Sequence, residues 1–471
     1  MTDPTRLGAR EAVRRLREGA LSPLDLIDAA LARIAAVDPL VNAVPILCAE
    51  RARAHARRIM AGEAPRGRLH GLPVLIKDLV EVEGVRTTHG SPIFADHVPD
   101  FSDWSVRRIE AEGGIVLGKT NTPEFGAGAN TFNEVFGATL NPWDRRLTCG
   151  GSSGGAAVAL ATGMAWLADG SDLGGSLRTP ASFCGIVGLR PSPGRVPHGP
   201  RPLAFGTLAV HGPMARDVRD AALMLDVMAG LEPLDPLSYD APSVPYAEAV
   251  ERRPTLRRVA FSPDLGGITP VDPEVAAICR VAAGRFAALG AELVEAAPDL
   301  AAAEATFTTL RAAQFAAGMA PLLRDHRDRL KPEVIWNIEH GMALTADAIG
   351  RAELARSELQ RSAAAFLADH DLLLCPASIV PPFPVGQRYL AELNGHRFPS
   401  YIDWVAIAYA ITLTGCPALS LPCGFTAAGL PVGLQLVGPP RGEAKLLAAA
   451  AALEDLLGLA GSVPLDPRHA A

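Results

Sequence analysis

Two glycine–serine knots flank one apolar run, and this stretch, Cys149 to Ser192, constrains the fold more than any other part of the chain. The first knot is Gly150-Gly151-Ser152-Ser153-Gly154-Gly155 and the second is Gly174-Gly175-Ser176. Between them Ala156 to Leu167 is nearly unbroken apolar sequence, long enough to cross a domain and return. Glycine admits positive φ and the close approach of other groups. A serine set among glycines can therefore stand beside exposed backbone N–H groups. A hydroxyl nucleophile next to such donors is the equipment of acyl transfer. The alternative is a pair of ordinary flexible loops.

The rest of the chain alternates helical and strand patterns. Ser22-Pro23-Leu24-Asp25 starts a helix, with Ser22 as N-cap, Pro23 in the first turn and Asp25 at the positive end. An Ala/Arg-rich helix follows through about Met60, and its arginines form a solvated face. Gly71 to Asp78 is a short buried strand ending in Lys77-Asp78. Taken alone, Lys77 is a structural lysine paired with Asp78. Burial, however, lowers a lysine's pKa, and a neutral amine is a base. Further strands are expected at 115–118, 187–189, 258–261, 371–375, 418–421 and 432–437. Helices are expected at 103–113, 216–228, 273–289 and 443–457, with a strand-poor helical span at 300–370. This alternation predicts an α/β fold. No repeat or clear linker divides the 471 residues, which points to one domain.

Composition narrows the function. The net charge is −7 and there is no basic block, so no nucleic-acid partner is expected. Seven scattered cysteines without a CxxC pair argue against a disulfide framework and a zinc site. The dispersed histidines (His89, His198, His211, His340, His370) show no ligand spacing, so no metal is expected. Neither knot is followed by the lysine of a phosphate-binding loop, and no cofactor motif is present. The polar start and interrupted apolar runs predict no membrane partner and a cytoplasmic location. Gly150 to Gly154 also fits G-x-S-x-G, which would make Ser152 an elbow nucleophile with Asp371 and His396 as its partners. That motif needs a buried strand before it, and Trp143 to Cys149 is not one.

The remaining arrangement pairs serines with a lysine, and here the chain resembles the amidase signature family. The resemblance rests on Lys77, the Gly150–Gly155 block and Asp172-Leu-Gly-Gly-Ser176-Leu-Arg178-Thr-Pro-Ala181, with Ser152 and Ser176 24 positions apart. It extends through Thr120-Asn121-Thr-Pro-Glu124-Phe, Asn141-Pro-Trp-Asp144, Phe183-Cys-Gly-Ile-Val-Gly-Leu189, Gly415 to Pro422 and Leu430 to Gln435. The resemblance implies one domain, 1–471, with a central mixed β-sheet flanked by α-helices. Within it lie a helical wrapper (about 1–65), a catalytic core (about 66–230) and a cap-like insertion (about 300–370). It also implies an amidohydrolase that cleaves a linear amide through an acyl-Ser176 intermediate, with Ser152 as relay across a cis Gly151–Ser152 bond and Lys77 as general base. The N–H groups of Leu173, Gly174, Gly175 and Ser176 would form the oxyanion hole. Gly126, Gly128 and Ser153 would bind substrate, and Asp172 and Arg178 would brace the loop.

The A subunit of a glutamine amidotransferase, which works with partner subunits, is the alternative within the family. Thr122-Pro-Glu-Phe125 stands where that subunit usually has Met-Asp-Glu-Phe, which favours a free-standing amidase. A binding scaffold of the same fold is the non-enzymatic alternative. Phe132, Phe205, Trp336, Phe383, Trp404 and Tyr409 are candidate pocket aromatics. With few charges around them, they predict a small-molecule amide, anilide or carbamate of apolar character. A homodimer is compatible with the family.

Overall fold

The computed structural model describes residues 3–468. An eleven-stranded mixed sheet runs through it. Its strands are β1 (Ile46–Leu47), β2 (Pro73–Lys77), β3 (Ile115–Thr120), β4 (Leu167–Asp172), β5 (Val187–Arg190), β6 (Val210–Ala215), β7 (Arg258–Phe261), β8 (Glu292–Glu295), β9 (Leu372–Pro376), β10 (Ala418–Phe425) and β11 (Pro431–Val437). Their spatial order is β1-β3-β2-β4-β6-β5-β10-β11-β9-β7-β8. The strands β3-β2-β4 and β9-β7-β8 pair in parallel, and the other pairings are antiparallel. This is the α/β architecture that the alternation predicts, with the helix-flanked mixed sheet that the family resemblance implies.

Central strands such as β2, β3 and β9 are buried throughout, because helices cover both faces of the sheet. The first long helix, α1 (Pro23–Val41), starts at a full capping box between Ser22 and Asp25. The Ala/Arg-rich segment forms α2 (Ala49–Ala61). The apolar run after the first knot divides in two. Its first part is α3 (Gly154–Ala161), which is buried on all sides, and the chain then turns into β4. The short helix α4 (Arg178–Cys184) follows the second knot. The helical span consists of α5 (Ala303–His326), α6 (Pro332–Met342) and α7 (Ala346–Asp369). With 398–413 it packs over one side of the sheet around Phe307, Phe383, Trp404 and Tyr409.

Four strands escape the sequence patterns: β1, β4, β6 and β8. β1 is two residues long. β4 ends in Asp169-Gly-Ser-Asp172, which looks like a turn, and β8 is half-exposed. β6 contains Gly212-Pro213, a dipeptide that normally argues against an interior strand. Pro213 is tolerated because β5 reaches only Ala215 and Met214, so no neighbour on that side needs its missing N–H.

Candidate active site

Lys77 is the last residue of β2 and is fully buried. Its Nζ lies 2.7 Å from Ser152 Oγ, 2.8 Å from Ser153 Oγ and 3.1 Å from Ser171 Oγ. Burial lowers its pKa to about 7, against the opposing pull of Asp169 and Asp172. The partner suggested by adjacency, Asp78, faces elsewhere. It accepts from the Thr88 backbone N–H at 3.0 Å and from the Thr88 hydroxyl, and it lies 3.7 Å from the Nζ of Lys119. The carboxylate that reaches Lys77 is Asp169 of β4, whose Oδ1 accepts the Lys77 backbone N–H at 2.6 Å. Burial raises Asp169 to about 7, and its Oδ2 has no hydrogen-bond partner among the described residues.

The two knots meet over this amine. The Gly151–Ser152 peptide is cis. The Ser153 N–H donates to the Ser176 carbonyl at 3.2 Å, which ties the loops together. Thr131 Oγ1 donates to the Gly150 carbonyl and accepts the Gly154 N–H, which fixes the first knot from the side. Asp172 organises the second knot by accepting from the N–H groups of Gly175 (2.9 Å) and Leu177 (3.1 Å) and from both ends of the Arg178 fork. Burial would raise the Asp172 carboxyl, but Arg178 and Arg190 hold it well below the usual carboxylate range. Arg178 also donates to the Ala408 carbonyl, Gln435 Oε1 and Thr412 Oγ1, so it ties the loop to residues 408–412 and to β11.

Ser152, Ser171 and Ser176 open onto one cavity of about 160 Å³. Its floor includes Gly126, Gly128, Leu173 and Gly174. A Cβ at Gly126 would stand 3.0 Å from Leu79 and 3.5 Å from Ser152 Oγ, and φ is +68° there. The absent side chain therefore leaves room beside the serine. The walls carry Phe125, Phe307, Arg311, Phe315, Tyr401 and Val405.

Several expected assignments need correction. Ser153 does not line the cavity; its hydroxyl lies behind, against Lys77 and the Ser171 carbonyl. The Gly175 N–H is committed to Asp172, which leaves those of Leu173, Gly174 and Ser176 without an acceptor among the described residues. None of the six candidate pocket aromatics lines the cavity. Phe205 is an exposed loop residue, and Trp336 stacks on His340. Phe132 lies under the cations of Lys331 and Arg388, and Phe383 packs on Trp404. Tyr409 is one layer back, stacked on Phe307 at 4.3 Å. The charge-poor setting expected of the cavity is broken by Arg311. Ser171 was missed, because its place beside Lys77 depends on the β2–β4 pairing.

The elbow alternative has no geometry. Asp371 binds Lys445 at 2.5 Å, and His396 is on an exposed hairpin. Among the described residues no group of three or more His, Cys, Asp or Glu could hold a metal ion, and no helix is long and apolar enough to cross a membrane.

The family model described as Amidase matches residues 25–447. An acylamidase of Rhodococcus erythropolis is 37% identical over 467 residues, covering 98% of this chain and 97% of that protein. The A subunit of the glutamyl-tRNA(Gln) amidotransferase of Moorella thermoacetica is 38% identical over 475 residues, covering 95% and 96%. A solved bacterial aryl acylamidase of the amidase signature enzymes superposes with a TM-score of 0.89 at 28% identity, over 98% of this chain and 99% of that one.

Proposed function

The chain belongs to the amidase signature family, and from that premise we propose that it is a free-standing amidohydrolase with a Ser176–Ser152–Lys77 catalytic unit. The carrying observation is the contact of 2.7 Å between a fully buried lysine amine and Ser152 Oγ, beside a cavity that Ser176 also lines. Ser176 Oγ attacks the amide carbon. Its proton passes to Ser152 as the Ser152 proton passes to Lys77 Nζ. The carbonyl oxygen becomes an oxyanion facing the N–H groups of Leu173, Gly174 and Ser176. When the tetrahedral adduct collapses, the C–N bond breaks and the proton returns through Ser152 to the leaving nitrogen. Water then cleaves the Ser176 ester by the same relay.

The apolar cavity wall supports an amide with an alkyl or aryl body, and so does similarity to an acylamidase and an aryl acylamidase. The comparable identity to the A subunit of an amidotransferase keeps a second activity in view, glutamine hydrolysis with partner subunits. Thr122-Pro123 in place of Met-Asp weighs against it.

A fluorophosphonate probe followed by peptide mapping tests the mechanism. Labelling of Ser176, slowed in Lys77→Ala, is expected. Labelling of Ser152 or none at all in folded protein overturns it. A panel of anilides, aliphatic amides and glutamine tests the substrate class, and faster glutamine turnover reverses the choice.

A further inference from the structure

One wall of the cavity contains a residue that an apolar substrate does not explain. Phe307, Arg311 and Phe315 are spaced by four on α5, so they share one helix face, and all three line the cavity. Arg311 is only 5% exposed. Its NH1 donates to Asn337 Oδ1 at 2.6 Å, and the guanidinium lies 4.4 Å above the Phe315 ring and 5.6 Å from that of Tyr401. Asn337 is held in turn, since its Nδ2 donates to the Glu333 carbonyl and to the Tyr401 hydroxyl. The fork is therefore fixed in orientation by neutral groups.

No carboxylate among the described residues pairs with it. Glu333 forks onto Arg388 at 2.7 and 2.8 Å. Glu124 accepts from Ser91 Oγ and the Lys331 N–H. A second buried cation, Lys331, is close by and donates to the Ala127 carbonyl. A guanidinium offers five N–H donors, and burying its charge without an anion is unfavourable. A carboxylate accepts two parallel bonds from such a fork and neutralises it.

We propose that Arg311 makes this cavity selective for amides that carry a carboxylate at the end remote from the scissile bond, a specificity that rests on the hydrolase assignment of the same cavity. The substrate then has an apolar middle, held between Phe307 and Phe315, and an anionic tip on Arg311. The scissile amide itself stays at the serines.

Binding to Ser176→Ala protein, followed by titration calorimetry, tests this without turnover. Two matched pairs cover both sides of the amide: glutaric acid monoanilide against its methyl ester, and para-acetamidobenzoate against its methyl ester. In one pair the carboxylate should bind at least about tenfold more tightly, the worth of a charge-assisted hydrogen bond. Adding Arg311→Leu should bring that pair to within about twofold, mainly by weakening the acid, and Arg311→Lys should keep part of the preference. In the active enzyme the Arg311→Leu loss should appear in KM, and it should be larger for the acid than for the ester. Equal affinities within both pairs overturn the proposal, as does a preference that survives Arg311→Leu. Equal weakening of acid and ester makes Arg311 a brace for Asn337 and overturns it too. Failure of Ser176 to react with the fluorophosphonate would instead remove the hydrolase assignment, which these affinities do not depend on.

Discussion

A lysine amine enclosed by three serine hydroxyls hydrogen-bonds differently in its two protonation states. As the cation, Lys77 donates to Ser152, Ser153 and Ser171 together. As the neutral amine it has two protons and one lone pair, so one contact must reverse. Ser153 can give its own proton to the Ser171 carbonyl, which leaves Ser152 and Ser171 as the hydroxyls able to donate to the amine, and Ser152 is the nearer at 2.7 Å against 3.1 Å. With burial holding Lys77 at about 7, kcat/KM should rise as pH increases toward that value and level off above it. Asp169 pulls the Lys77 pKa upward, so Asp169→Asn, which keeps the Oδ1 acceptor, should move this acid limb to lower pH. A limb that stays in place would show that the Asp169 charge does not set it. Lys77→Ala should cost about 10²–10⁴ in kcat or more, read from single-turnover acylation. At this scale Lys77 was legible because a lysine ending an apolar strand must be partly buried. Asp169 and Ser171 were not, because only the pairing of β2 with β4 brings them beside it.

The second knot is a loop held by one carboxylate. Asp172 serves two backbone N–H groups and two arginines, and Arg178 carries the attachment across to 408–412 and β11. Arg178→Leu leaves Asp172 buried with half its compensation and should cost about 3–5 kcal/mol, measured by urea unfolding. It should also slow Ser176 labelling, since the donors at Leu173, Gly174 and Ser176 lose their brace. Arg178→Lys restores charge without the fork and should recover only part of either. Because the Asp172 pKa is depressed, its stabilisation is present above the ordinary carboxylate value and is lost only as pH falls through the still lower folded value. Stability from this brace should therefore be flat through the neutral range where activity titrates. Elements with strong local signals were legible: the Ser22–Asp25 cap and the apolar strands β2, β9 and β11. β4 and β6 were not, because their Gly, Ser, Asp and Pro residues resemble turns until neighbours supply the pairing.

Across the whole molecule, the sheet and the helical layer contribute different parts of the site. Strand ends and the two knots bring Lys77, Ser152, Ser171 and Ser176 together, while α5 and residues 401–405 close the cavity above them. The pocket aromatics were misjudged for this reason. Which of the chain's 15 phenylalanines face the serines depends on how α5 docks, although the 307–311–315 spacing was a usable signal. The division predicts that substrate preference can change without loss of the reacting unit. Phe315 is 7% exposed on the cavity wall, and Phe315→Leu exchanges a ring for a smaller branched side chain there. With neutral anilides of increasing acyl length, the variant should gain relative kcat/KM for the longer acyl chains by about tenfold, the scale of one or two methylenes in an apolar pocket. The rate at which a small fluorophosphonate labels Ser176 should stay within about threefold of the parent enzyme, because no knot contact is altered. A parallel fall in labelling and in turnover of every anilide would mean that α5 also positions the serines, and would join the two layers into one functional unit.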